Sequence, residues 1–134
     1  MRAGILWRCA TVFLMVQPEV ASAADLFFCE ERDSVGFHLE AGQPERVRFV
    51  GARFSLFVDL PTMALTLEGG RSFSFRCGGD GEVWTCSDGL RLFVMQRASG
   101  QFAMSRLAGL VTDEAPPQGL TREPLAVSWG TCER

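Results

Sequence analysis

Apolar and polar positions alternate with period two along almost the whole chain beyond residue 24. "VGFHL" puts Val35, Phe37 and Leu39 on one face, and "RVRFV" sets Val47 and Phe49 against Arg46 and Arg48. "MALTLE" aligns Met63, Leu65 and Leu67, "SFSFRC" aligns Phe73, Phe75 and Cys77, and "EVWTCS" aligns Trp84 with Cys86. This period is the signature of strands with one buried face. No stretch repeats apolar residues at helical spacing for long enough to require a helix. Turn signals punctuate the runs: Leu60-Pro61, Gly69-Gly70, Asp88-Gly89, and "RASG" ending at Gly100. Asp88-Gly89 predicts a two-residue type I′ hairpin, and Gly100 suits a left-handed backbone position. "TDEAPPQGLTRE", residues 112–123, reads as a polar surface loop. Many short strands joined by connections too short for crossovers predict an all-β fold, a small antiparallel up-and-down barrel or a sandwich. Closing a barrel with the first strand, "LFFCE", and the last, "PLAVSWGTC", would remove the open edges.

The first 23 residues break this pattern. Arg2 and Arg8 precede the apolar run "ATVFLMV", Pro18 follows it, and Ala21-Ser22-Ala23 supplies a small-x-small site. These are the parts of a cleavable secretory signal. The run is far shorter than the ~20 residues that span a bilayer. Cys9 and Cys29 do not read as lipid-attachment sites, because Arg8 and Phe28 stand where small residues are needed. The reading is therefore a signal peptide over 1–23 and one β domain over 24–134, periplasmic or secreted, with no integral membrane anchor.

Export changes the meaning of the cysteines. Cys29, Cys77, Cys86 and Cys132 remain after cleavage, and an even number in a small exported chain reads as a disulfide framework with three possible connectivities. Their wide spacing lacks the C-x₂₋₄-C pairs of zinc sites. Cys29–Cys132 with Cys77–Cys86 is the favoured pairing, since the first joins the two strands that would close the barrel. The second meets a geometric difficulty. A tight turn at "GGDGE" would set Cys77 opposite Val83, so the bond requires "GGDGEVWT" to be an eight-residue loop, and otherwise the crossed pairings stand.

Charge narrows the partners. The chain has 13 basic residues, all arginine, against 16 acids, for a net charge of −3. A mildly acidic chain without a basic cluster is a poor binder of nucleic acid. The single histidine, His38, has no nucleophile motif around it and is expected to face solvent. Asp80, Glu82 and Asp88 are placed near one tip around Trp84. As a glycosidase pair they would need a separation of about 5–10 Å, and as a calcium loop they lack the regular D-x-D-x-D-G spacing. No catalytic, cofactor-binding or metal-ligating residue is assigned. Asp80, Glu82, Trp84 and Asp88 form a candidate interaction loop, with Trp84 either packed on a disulfide or exposed to a partner.

"FFCEERDSVGF", "RFSLFVD", "RLFVMQRASGQFAMS" and the ending "SWGTCER" resemble segments of small exported proteobacterial proteins with no assigned activity. In those, an early cysteine follows aromatics and a glycine-x-cysteine ends the last strand. Size, compartment and barrel pattern are also similar to the MliC-type periplasmic lysozyme inhibitors, which are small disulfide-tied β-barrels. The first reading is a non-enzymatic binding module whose surface loops contact another protein or an envelope component, with an inhibitor of a hydrolase as its sharper form. The alternatives are a carrier of a small apolar ligand inside the barrel, and a hydrolase using Asp80, Glu82 or Asp88.

Overall fold

Alternation becomes nine antiparallel strands in the computed structural model, which describes residues 24–40, 43–107 and 125–134. The segment 1–23, read as a signal peptide, and the polar loop read over 112–123 lie outside the described residues. The strands are β1 (Asp25–Glu40), β2 (Gln43–Phe49), β3 (Arg53–Asp59), β4 (Thr62–Leu67), β5 (Ser72–Gly79), β6 (Val83–Ser87), β7 (Arg91–Gln96), β8 (Gln101–Arg106) and β9 (Leu125–Glu133). Strand β1 pairs with β3 and, on its other edge, with β9. The expected closure is thus realised: eight strands form an up-and-down barrel, and β2 sits outside the ring on the distal half of β1.

The two early runs that look like separate strands are one strand of 16 residues. A β-bulge at Glu31/Asp33 shifts its register against β9. One extra residue exchanges the two faces of a strand. Phe27, Cys29 and Glu31 therefore point inward before the bulge, and Ser34 and Gly36 after it. Val35 and Phe37, whose alternation with polar neighbours suggests a buried face, lie on the outside instead. His38 is exposed, as expected.

Both disulfides join directly opposed residues. Cys29 faces Cys132 across the closing seam, and Cys77 faces Cys86 across β5–β6, with Cα separations of 4.0 and 3.9 Å. The eight-residue loop required by the sequence argument is not formed. Pairing continues past the bond through Gly78↔Thr85 and Gly79↔Trp84. A short turn over 80–82 suffices because Gly79 and Gly81 adopt positive φ, 134° and 91°.

Aromatic rings fill the interior. Phe102 lies 5.3 Å from both Phe54 and Phe93, and Phe27 meets Trp84 edge-on at 5.8 Å. Such pairs add about 0.5–1.5 kcal/mol each beyond their buried area. Gly100, at the β7–β8 turn, has φ 68°, the left-handed value expected, and a Cβ there would strike the Cys132 carbonyl.

Polar groups gather inside the barrel at the end where β1 leaves it. The Glu31 carboxylate accepts the Ala52 N–H at 2.9 Å and faces the Arg106 guanidinium at 3.4 Å, while Arg106 donates to Ser34 Oγ at 3.0 Å. The Glu31 N–H also donates to the Ala52 carbonyl. Glu31 thereby fastens the link from β2 to β3 over the stretch of β1 that neither strand pairs.

Candidate interaction site at the loop end of the barrel

The up-and-down order sends alternate turns to opposite ends. The turns β3–β4, β5–β6 and β7–β8 lie at one end, together with the chain's C-terminus. The turns β4–β5 and β6–β7 lie at the other. Asp80 and Glu82 precede β6 and Asp88 follows it, so the three acids do not share a tip. Six residues of extended chain separate Glu82 from Asp88, about 20 Å, well beyond the reach of a glycosidase pair.

The two aspartates have structural partners. Asp80 Oδ1 accepts the N–H groups of Glu82 and Val83, both at 3.0 Å, and closes its own turn. The Val83 and Glu82 N–H groups hold its carboxyl below the usual range. Asp88 Oδ1 accepts the N–H groups of Leu90 and Arg91, and its Oδ2 pairs with the Arg91 guanidinium at 2.6 Å. The β6–β7 turn is accordingly centred on Gly89-Leu90, one residue beyond the expected Asp88-Gly89, with Gly89 at φ 90°. The aspartate stays outside the central pair because its carboxylate is more useful capping it.

Burial pushes the Asp88 carboxyl up, but the Leu90 N–H and the Arg91 guanidinium and N–H outweigh this, and the net shift is downward from 3.8. A depressed carboxylate contributes stability that is full above its unfolded value and fades as pH falls through the folded one. We therefore expect Asp88→Asn to flatten part of the fall in urea midpoint below about pH 4. Parallel curves for the two proteins from pH 6 to pH 2 would refute that contribution.

Trp84 does not present its ring to a partner. It is buried at 3% exposure, on the same inward face as Cys86, and its Nε1 meets no acceptor among the described residues. Its place in an exposed interaction loop is corrected on that ground, and the packed alternative holds, with the ring edge-on to Phe27 inside the barrel. Arg97, from the β7–β8 turn, lies over the Trp84 ring at 5.0 Å from the centroid, and Arg134 lies over the Phe27 ring at 5.3 Å. The Arg97 N–H donates to the Glu82 carbonyl and its guanidinium to the Gly81 carbonyl. Arg134 also reaches Asp25 at 3.3 Å.

These contacts couple two hairpin turns and the C-terminus around a groove of about 570 Å³. Gly81, Glu82, Arg97, Ser99, Gly100 and Arg134 line it, with Phe27 and Cys132 beneath. Glu82 of the expected loop belongs to this groove, Asp80 closes the turn that carries Glu82, and Asp88 is remote from it. Sequence reasoning missed Arg97 and Arg134, because stacking on interior rings depends on which turns share an end. Among the described residues no cluster of histidine, cysteine or acidic side chains is suited to a metal ion, and no helix is long and apolar enough to cross a membrane. Two disulfides fit an oxidising, non-cytoplasmic compartment. Neither the protein-family models nor the curated proteins yield a match to this chain, so the site is read from its own geometry.

Proposed function

We propose that this chain is a non-enzymatic binding protein, periplasmic or secreted, whose loop-end groove grips a segment of a partner protein. The observation that carries this reading is the pair of arginines laid over core rings beside the groove. Arginine anchors dominate many protein interfaces, and a guanidinium already stacked loses less freedom on binding. Aspartates held below the normal carboxyl range are the reverse of what a general acid needs. A carrier needs open space along the barrel axis, where Phe54, Phe93 and Phe102 instead pack against one another. The sharpest form of the reading is an inhibitor that sets its two coupled turns into the cleft of a hydrolase.

Cross-linking and capture from an envelope extract tests it, with the oxidised protein compared against Arg97→Ala/Arg134→Ala. One enriched protein is expected, reduced at least about tenfold with the double variant, in line with loss of two anchors. Capture that ignores the substitutions would remove the groove from the reaction. An empty capture would remove the binding function itself.

A further inference from the structure

The barrel wears two different outer surfaces. On β4, β5 and β6 the outward positions are hydroxyl-rich, among them Thr66, Ser72, Ser74, Thr85 and Ser87. On β7, β8, β9 and the distal half of β1 the outward positions away from the loop-end groove are largely apolar, while Gln96, Gln101, Thr131 and Glu133 occupy those nearer the groove. In β9 the usual arrangement is inverted: Ala126, Ser128 and Gly130 point inward, while Val127 and Trp129 stand outside with 57% and 54% of their surface exposed.

The register makes this one continuous face. Val35 pairs with Val127, Val127 with Ser105, and Ser105 with Leu92. One row along, Trp129 pairs with Ala103 and Ala103 with Val94. On the other flank Phe37 pairs with Leu125, and the Leu107 N–H donates to the Leu90 carbonyl, bringing two more exposed leucines alongside. Ser105 is the one hydroxyl within the face, and the Asp33 carboxylate, opposite Trp129 and ion-paired with Arg48 at 2.7 Å, marks its edge at β1. A smaller apolar group, Leu26, Phe28 and Phe57 on β1 and β3, is bordered by the Arg53–Glu30 ion pair.

The seven large apolar residues of the larger face are each 39–57% exposed. On side-chain surfaces of about 150–250 Å² this amounts to roughly 600 Å², at the top of the ~300–600 Å² range for the largest patch on a typical monomer. The face supplies most of the ~800 Å² that each side contributes to a stable interface. An uncharged, apolar centre of this size matches homodimers, which are more apolar than transient complexes. We propose that a second copy of this chain covers the face, in a two-fold dimer with the sheets packed face to face.

The rims fix the direction of the axis. Arg46 and Arg48 of β2 border the face beside Phe37 and Val35, and Ser87 and Thr85 of β6 border it beside Leu92 and Val94. An axis running across the strands would lay the β2 rim on its own copy, where each Arg48 is already paired with Asp33 but the two Arg46 guanidiniums would meet at the cost of like-charge repulsion. An axis along the strands lays the arginine rim on the hydroxyl rim. The strands of the two copies then run in the same sense, and both loop-end grooves face the same way. The dimer does not depend on the groove's having a partner. If it has one, the two grooves engage it bivalently.

Sedimentation of the oxidised, signal-free protein across about 1–100 µM tests the proposal, a range that resolves micromolar association. Wild type is expected at twice the chain mass. Val127→Asp, at the centre of the face, is expected to weaken association about 100-fold by placing a charge in the apolar contact. Thr66→Asp, on the hydroxyl-rich side, should leave it intact. A wild-type monomer throughout the range overturns the dimer whatever the variants do. A monomer that floats with phosphatidylglycerol vesicles through Val127 would assign the face to a lipid surface. A monomer whose face resists acrylamide quenching of tryptophan would assign the cover to the chain itself.

Discussion

Replacing Cys29 and Cys132 together with alanine is expected to lower folding stability by about 4–5 kcal/mol, close to twice the loss from replacing Cys77 and Cys86. The difference comes from the chain enclosed. The first bond spans 103 residues and the second only 9. In the chain-entropy model the long loop is worth about 4.7 kcal/mol and the short one roughly 2.7 kcal/mol. Location adds to the contrast. The long-range bond crosses β1–β9, the seam that turns a sheet into a closed barrel, and both its cysteines are buried. The short bond lies inside a hairpin that the 80–82 turn already holds together. Against a typical domain stability of 5–15 kcal/mol, loss of the first bond leaves the barrel marginal. Urea denaturation of both double-alanine proteins, at equal m-values, measures this directly. Equal losses, or a larger loss for Cys77/Cys86, would show that local strain or residual structure governs, not loop closure.

Most of the architecture was legible in the alternation, because each barrel strand needs one face of the right polarity and the connections are too short for anything but antiparallel neighbours. The closure could be inferred from the same pattern, and with it the Cys29–Cys132 bond. The Cys77–Cys86 register could not, because it turns on two glycines taking positive φ within three residues, which lets the hairpin tighten beyond the disulfide. The inside and outside of β1 were misassigned for a related reason. A bulge adds one residue with no sequence marker, and the described side chains from Ser34 to His38 change face. The candidate site divides along the same line. Glu82 and Asp80 sit in a turn that sequence could find, whereas Asp88 was grouped with them by proximity along the chain. A five-residue strand is enough to put its two ends on opposite sides of the molecule. Arg97 and Arg134 depend on contacts between elements distant in sequence, and nothing in their neighbours distinguishes them from the other exposed arginines.

Arg106→Met is expected to destabilise the barrel by about 3–5 kcal/mol, the cost of leaving a buried carboxylate without its counter-charge. Glu31 has only 1% of its side chain exposed, and Arg106 has 17%. The separation of 3.4 Å makes the ion pair itself modest, so the loss arises mainly from what removal strands, not from the strength of the contact. Ser34 Oγ loses its donor at the same time. Glu31→Gln in the same background distinguishes this account from simple loss of packing. A glutamine carbonyl still accepts the Ala52 N–H, so the link between β2 and β3 keeps its fastening while the stranded charge disappears. The double variant should therefore recover a large part of the loss, with a coupling of about 1–3 kcal/mol across the mutant cycle. If Arg106→Met and the double variant unfold at the same denaturant concentration, the arginine matters for its aliphatic stem against the barrel wall. If the single variant is as stable as wild type, the Glu31 carboxylate is sufficiently held by Ala52 alone, and the polar end of the barrel is built around a backbone link with no need of a charge pair.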